Sequence, residues 1–196
     1  MIKIILITLF QFLFIAKAVS QIDNNFLKIG ENAPKIVGVD QFNLEIDSDK
    51  ILKDKKILVL FYRGNWCPYC KKHLASLQEN LDKFTEKGVQ VIVVTPEKVA
   101  KVKETAKKWK STFSIIHDSE NKIMNDYKVA FDVNKENIPN YFEFILKRVR
   151  EYNEEDNNVL PVPATYLIDK NDKISYVHYN PDYSKRSDFT KILDRL

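Results

Sequence analysis

The sequence contains few of the residues from which metal sites and disulfide frameworks are built. It has only two cysteines and three histidines in 196 residues. Two cysteines cannot form a four-cysteine zinc site, and Cys67, Cys70 and His73 together would still need a ligand from elsewhere. A disulfide between the two cysteines would close too short a loop to stabilise the fold strongly. Zinc binding and a static disulfide remain alternatives to a chemical role for the pair.

Excess charge and internal linkers are also scarce. The chain has 31 basic and 27 acidic residues, a formal net charge of +4. The lysines are interspersed with acidic residues, which indicates a solvated surface and no nucleic-acid partner. No linker divides the chain, and residues 21–196 are enough for one domain with a substantial core.

The first 20 residues are typical of an export signal. Lys3 provides the positive start, Ile4–Ile15 is an apolar core of suitable length, and small residues follow up to Ser20. The apolar run is too short for a comfortable membrane span. We expect cleavage after Ser20 and a periplasmic or secreted domain, with membrane attachment only through an uncleaved signal.

The stretch around the two cysteines predicts a strand followed by a helix. Ile57–Tyr62 is continuously apolar or aromatic, as in a strand buried on both faces near the middle of a sheet. Apolar residues then recur at steps of three and four, which predicts a helix up to Gly88 with one buried face: Leu74, Leu77, Leu81 and Phe84. Pro68 suits the first helical turn, which places Cys67 at the helix N-terminus.

That position favours thiol chemistry. The positive end of a helix stabilises an anion, and thiol pKa values in such settings can fall to about 3.5 to 7.5. Two cysteines three residues apart can also close a disulfide and so exchange two electrons with a substrate. Arg63 is a candidate cation beside the thiolate, and Trp66 can either cover the disulfide or simply pack. His73 could approach Cys70, although helix geometry alone would also place it there.

The rest of the chain predicts alternating strands and helices, then a hairpin. From residue 57 to 130 the alternation indicates crossover connections and parallel strands. Residues 138–152 form an aromatic helical pattern that either packs in the core or forms a lid or partner-docking surface beside the active site. Two short strands are expected before residue 54, a hairpin at residues 165–179, and a final helix capped by Ser187 or Asp188.

The segment Phe61–Cys70, FYRGNWCPYC, resembles the active-site segment of peroxiredoxin-like redoxins of the alkyl hydroperoxide reductase and thiol-specific antioxidant family. Leu160–Asp169 and Asn180–Arg186 resemble later signatures of the same group. The resemblance covers residues 28–196. It implies a thioredoxin fold, an α/β architecture whose central mixed sheet is flanked by helices. An N-terminal extension and an extra helical insertion before the cis-proline strand would be added to it.

The resemblance also implies residue roles. Val162–Pro163 occupies the position of the cis-proline that faces the dithiol in thioredoxin-fold proteins, where it would leave backbone groups of Val162 free for substrate. Pro68 and Tyr69 would support the site from within the motif. No metal, haem, flavin or nucleotide cofactor is implied. The expected partners are a thioredoxin-like electron donor and a substrate that is either a disulfide-bearing protein or a peroxide.

The match to peroxiredoxins is incomplete at the site. Arg63 stands where typical peroxiredoxins have proline, Cys67 where they have threonine, and Cys70 where they have the cysteine that attacks peroxide. Pro163 replaces an arginine that in those enzymes helps to bind peroxide.

Two enzymatic interpretations therefore compete, beside a redox-inactive binding module on the same fold. In thiol-disulfide exchange Cys67 attacks and Cys70 resolves the mixed disulfide. In peroxide reduction Cys70 becomes a sulfenic acid, with which Cys67 condenses. The helix N-terminus favours Cys67 whereas the resemblance favours Cys70. From the helix position we expect Cys67 to be the more accessible and more thiolate-like sulfur.

Overall fold

The continuous apolar run that predicts a central strand forms the middle of a five-stranded sheet. The computed structural model describes residues 26–138 and 140–196, so the predicted signal segment lies outside the described residues. The strands are β1 (Val37–Val39), β2 (Glu45–Asp47), β3 (Lys56–Phe61), β4 (Val89–Thr95), β5 (Ser114–His117), β6 (Ala130–Asp132), β7 (Val159–Pro161), β8 (Ala164–Ile168) and β9 (Ile174–Tyr179). The helices are α1 (Ser48–Ile51), α2 (Pro68–Glu86), α3 (Val99–Trp109), α4 (Lys122–Asp126), α5 (Phe142–Tyr152) and α6 (Phe189–Leu193).

The main sheet is mixed, in the order β5-β4-β3-β8-β9. β3 runs parallel to β4 and antiparallel to β8, and β8 and β9 form the predicted hairpin. Alternate residues of β3 point to opposite faces, as the pleat of a strand requires. Leu58 and Leu60 pack with the buried face of α2, whereas Ile57, Val59 and Phe61 belong to the core on the other face. The expected α/β fold with a central mixed sheet is confirmed.

The helices follow the sequence pattern closely where the pattern is long. α2 begins at Pro68 and buries the predicted face, and Gly88 follows it in the left-handed conformation with φ of +69°. Asp188 caps α6 by accepting hydrogen bonds from two backbone N–H groups. No helix within residues 26–138 and 140–196 is long and apolar enough to cross a membrane.

A small second sheet is absent from the sequence prediction. β6 pairs antiparallel with β7, and α5 lies between them along the chain. Each strand has three residues, too few for a hydrophobic period to identify. Their pairing is also long-range, so the local sequence contains no signal for it.

The cis assignment of the Val162–Pro163 bond is wrong. The part of the chain that the structure describes has no cis peptide bond, and this bond is therefore trans. The Val162 N–H donates to the carbonyl of Val129 at 2.7 Å, which continues the pairing of β6 and β7 by one step. The expected free backbone donor at Val162 is therefore already occupied, and the chain enters β8 in an extended trans conformation.

Candidate active site

The two cysteines lie where α2 meets the turn after β3. Cys67 is the N-cap residue of α2 and Pro68 is the first helical residue, as predicted. The Cys67 N–H donates to the Gly64 carbonyl at 3.0 Å, and this bond closes the turn. Both thiols are free and buried, with Cys67 2% exposed and Cys70 1% exposed. The two exposed fractions differ little, although Cys67 is the cysteine that lines the cavity described below.

Cys70 sits in an environment that favours its thiolate. Burial by itself raises the pKa of Cys70, but hydrogen bonding from the Cys67 thiol, the charge of Arg186 and the Arg63 backbone N–H together lower that pKa to about 6. The Arg186 Nη2 lies 3.4 Å from the Cys70 Sγ. A guanidinium in direct contact with the sulfur therefore supports the anion, in addition to the helix N-terminus.

Cys67 has the opposite tendency. Its hydrogen bond with Cys70, followed by burial, raises the pKa of the Cys67 thiol. Arg63 lowers that pKa only as a smaller influence. The structure thus reverses the expectation that Cys67 is the more thiolate-like sulfur. The partial charge of a helix terminus is outweighed by a full charge that the fold places against Cys70.

The loop that contains Arg186 is held from several sides. Arg186 Nη1 donates to the carbonyl oxygens of Tyr183 and, at 2.7 Å, of Lys185, which ties the guanidinium to its own loop. Ser187 Oγ lies 2.9 Å from Thr165 Oγ1 and 3.1 Å from His73 Nε2. These contacts connect the loop to β8 and α2, and they keep Arg186 over Cys70.

His73 supports this loop rather than the sulfur directly. Its ring stacks on Phe189 with centroids 4.6 Å apart, and burial, followed by the charge of Arg186, lowers the pKa of His73 to about 3. The imidazole is therefore neutral at physiological pH. Sequence reasoning did not identify Arg186 as a site residue, although it belongs to the segment Asn180–Arg186 that resembles a family signature.

The remaining predicted residues divide between the site and its surroundings. Arg63 is buried, and its guanidinium lies 5.6 Å from the Trp66 ring and 4.8 Å from the Tyr183 ring. Its backbone is among the groups that lower the pKa of Cys70. Tyr69 packs edge-on against Tyr183 with ring centroids 5.6 Å apart. One cationic and two aromatic side chains, those of Arg63, Trp66 and Tyr69, therefore lie next to one another beside the thiols.

A cavity of about 590 Å³ opens beside Cys67. The turn after β3 and the start of α2 form one side, and the segment leading into α5 forms the other. Its main aromatic lining residues are Trp66, Tyr69, Phe131, Tyr141, Phe144 and Tyr183. Cys67 and Pro68 line it, whereas Cys70, Val162 and Pro163 do not.

The aromatic helix predicted at residues 138–152 is observed at Phe142–Tyr152. Ile145 and Val149 are buried in a small core with Leu160. Tyr141 and Phe144, by contrast, are 73% and 52% exposed and lie at the cavity. α5 therefore packs on the domain with one face and borders the site with the other.

No arrangement for a metal ion is found among residues 26–138 and 140–196. No group of three or more histidine, cysteine, aspartate or glutamate side chains is close enough together there to hold one. His73 instead contacts Ser187. The structure therefore offers no support for the zinc alternative.

A central mixed sheet with a dithiol at the start of the helix that follows β3 defines a peroxiredoxin-like protein of the thioredoxin superfamily. The sequence profile of the AhpC/TSA family matches residues 29–177, and the chain belongs to this family.

Known proteins of two kinds are similar to the chain. It is 26% identical over 151 residues to putative peroxiredoxin Q, chloroplastic, of Oryza sativa subsp. indica, a match that covers 77% of this chain but only 58% of the rice protein. It is 27% identical over 153 residues to the thiol-disulfide oxidoreductase ResA of Bacillus cereus, which covers 78% of this chain and 70% of that protein. The crystal structure of peroxidoxin BcpB from Mycobacterium tuberculosis superposes with a TM-score of 0.64 and 16% identity, covering 86% of this chain and 95% of that one.

Proposed function

We propose that this protein is a thiol-based oxidoreductase that cycles Cys67 and Cys70 between dithiol and disulfide, and that it reduces peroxides with Cys70 as the attacking thiolate. The contact of the Arg186 guanidinium with the Cys70 sulfur is the observation that supports this choice. It supplies a cation at the site although Pro163 stands where typical peroxiredoxins have arginine. The pKa of about 6 for Cys70 means that its thiolate predominates at neutral pH.

The first step breaks the O–O bond of the peroxide. The Cys70 thiolate attacks the terminal, hydrogen-bearing oxygen of ROOH and displaces RO⁻, which gives the sulfenic acid of Cys70 and, after RO⁻ takes a proton from solvent, the alcohol ROH. The sulfur is oxidised by two electrons and the peroxide is reduced by two. Arg186 is positioned to stabilise the negative charge that moves from sulfur to the leaving oxygen.

The second step closes the disulfide. The Cys67 sulfur attacks the sulfur of the Cys70 sulfenic acid, the S–S bond forms, and the hydroxyl leaves as water with the proton of the Cys67 thiol. A dithiol protein of the thioredoxin type then reduces the disulfide by exchange and is itself oxidised. The start of α2 suits this cycle because the two sulfurs are already hydrogen-bonded to each other.

Thiol-disulfide exchange through Cys67 is the second candidate function. It is favoured by the cavity, which Cys67 lines and Cys70 does not, so that a bulky disulfide substrate would meet Cys67 first. The similarity to thiol-disulfide oxidoreductase ResA also supports it.

Single cysteine variants separate the two reactions. After limited peroxide, Cys67→Ser should accumulate a sulfenic acid on Cys70 that mass spectrometry detects after trapping, whereas Cys70→Ser should not form one rapidly on Cys67. If exchange is the main activity, Cys70→Ser should instead trap a mixed disulfide with a protein substrate through Cys67. The double variant is the control. Activity retained by the double variant would contradict both reactions and favour a redox-inactive binding module.

We also propose that the chain is exported and cleaved after Ser20, on the basis of the signal-like residues 1–20. The mature protein should then begin at Gln21. Mass spectrometry of the N-terminus of protein from the native host tests this, and cytoplasmic protein that retains Met1 would contradict it.

A further inference from the structure

Glu97 is a fully buried carboxylic acid that the proposed reaction does not use. Its side chain is 0% exposed and lies between the end of β4 and the start of α3, beneath the turn that precedes Cys67. One carboxyl oxygen accepts the Asn65 backbone N–H at 2.7 Å, and the other accepts the Tyr62 hydroxyl. Both donors belong to the chain between β3 and α2. Glu97 thus holds the segment between β3 and α2 in place through two hydrogen bonds.

The same turn is anchored and packed from other directions. Trp109 Nε1, at the end of α3, donates to the Asn65 side-chain oxygen at 3.0 Å. Gly64 has φ of +149°, and a Cβ placed on it would lie 2.4 Å from Trp66 Nε1 and 3.0 Å from Glu97 Oε1. The Glu97 carboxyl group therefore lies directly against the backbone of the turn. It can lie so close because residue 64 is a glycine and has no Cβ.

The position of this turn matters for the sulfur. The Cys67 N–H donates to the Gly64 carbonyl at 3.0 Å, which joins the turn to the first residue of the thiol pair. The backbone of Arg63 is also one of the groups that lower the pKa of Cys70. A displacement of the turn would move both groups, and hydrogen bonds weaken steeply when their geometry is lost. Buried acids are rare in proteins unless they are paired or hydrogen-bonded, because burial penalises the charged form. Burial indeed raises the pKa of Glu97 to about 7, although Tyr62 and Asn65 oppose this rise.

We propose that Glu97 is a positioning residue of the thiol site, which holds the turn at residues 63–66 and thereby the start of α2, where the two cysteines lie. The inference rests on the proposed function in one respect, since it takes Cys70 as the reactive thiolate. Glu97 itself acts through the backbone of the turn and not on the substrate.

Three variants test the proposal, each made in a Cys67→Ser background. The measured quantity is the midpoint of a pH titration of Cys70, followed by the ultraviolet absorbance of its thiolate. Glu97→Ala removes the acceptor, and we expect Cys70 to become about a tenfold weaker acid, the effect of losing one hydrogen bond to a charged group. Glu97→Gln keeps an oxygen for the Asn65 N–H and removes the negative charge that opposes the Cys70 thiolate, so its midpoint should equal that of the parent or lie below it. Trp109→Phe loosens the same turn from the other side and should shift the midpoint in the same direction as Glu97→Ala, but less.

Asp118 provides a matched control. It is also a buried carboxylate, and it accepts the backbone N–H groups of Ile123 at 3.1 Å and of Met124 at 2.8 Å, at the start of α4. Asp118→Ala should destabilise the fold and leave the Cys70 midpoint unchanged. If Glu97→Ala does not fold, Glu97→Asp, which keeps the carboxyl group but shortens its reach to the turn, takes its place.

The outcomes distinguish this inference from the proposed function. A parent protein in which Cys70 titrates like an ordinary thiol would overturn the assignment of the reactive thiolate. If the parent has a lowered Cys70 midpoint and neither Glu97→Ala nor Trp109→Phe changes it, the positioning role of Glu97 is overturned but the proposed function is not. Equal shifts in Glu97→Ala and Asp118→Ala would show general destabilisation and would also overturn that role.

Discussion

Replacing Arg186 with glutamine removes a guanidinium that lies 3.4 Å from the Cys70 sulfur. A hydrogen bond to a charged group contributes about 1.5 to 3 kcal/mol, and 1.36 kcal/mol corresponds to about one pKa unit. The pKa of Cys70, about 6 in the parent, should therefore rise to between about 7 and 8. The thiolate fraction at pH 7 would fall from about 90% to between about 50% and 10%.

The measurement is a pH titration of thiolate absorbance in a Cys67→Ser background, which leaves Cys70 as the only thiol. The rate of alkylation at a single pH is a poorer measure, because a thiolate with a lower pKa is also intrinsically less nucleophilic. The midpoint of the titration, and not the rate, gives the pKa. Peroxide consumption by protein with both cysteines should fall further than the thiolate fraction does, since Arg186 also stabilises the leaving oxygen.

Two further variants make the result specific. Arg186→Lys keeps the charge but loses the planar fork, so its Cys70 pKa should lie between those of the parent and of Arg186→Gln. Lys185→Gln removes a neighbouring exposed cation and should leave the midpoint unchanged. An Arg186→Gln protein that is folded and titrates at the parent midpoint would refute the reasoning.

Three other predictions follow from the same contacts. Cys67→Ala should raise the pKa of Cys70 more than Cys67→Ser does in the same titration, because serine keeps a donor; equal pKa values would exclude the hydrogen bond between the sulfurs. In the folded protein Glu97 keeps its proton up to about pH 7, whereas in the unfolded chain it loses the proton near pH 4.5. Between these two pH values the free energy of unfolding should therefore fall by about 3 kcal/mol as pH rises. Denaturant unfolding of Glu97→Gln should lack that decrease, and a decrease equal to the parent's would assign it to other groups. Gly64→Ala should lower the free energy of unfolding by about 1 to 3 kcal/mol, because of strain at its φ of +149° and the clash with Trp66. Gly88→Ala, whose new Cβ would meet no atom within 4 Å, should lower it measurably less. Equal losses in the two variants would contradict the close packing at Gly64.

Long local patterns made most of the fold predictable from the sequence. The continuous apolar run of β3 and the three-and-four spacing along α2 are repeated over many residues, so each element is specified several times by its own sequence. The location of Cys67 at the helix N-terminus followed from Pro68, whose missing N–H suits the first turn. The elements and the position of the cysteine pair were therefore accessible without coordinates, and the thioredoxin fold was implied by the resemblance of Phe61–Cys70 and two later segments to the redoxin family.

Only the tertiary structure places a cation against one of the two sulfurs. The local argument from the helix N-terminus pointed to Cys67. Arg186, however, lies 116 residues beyond Cys70 in the chain, and contacts with β8 and α2 position its loop. Likewise, the pairing of Val162 with Val129 depends on two strands separated by α5. The sequence by itself determined the elements, the dithiol and its place at the start of a helix, because these depend on neighbouring residues. The pKa order of the two thiols, the trans bond before Pro163 and the buried carboxylate beneath the turn depend on contacts between distant segments, and such contacts exist only in the folded chain.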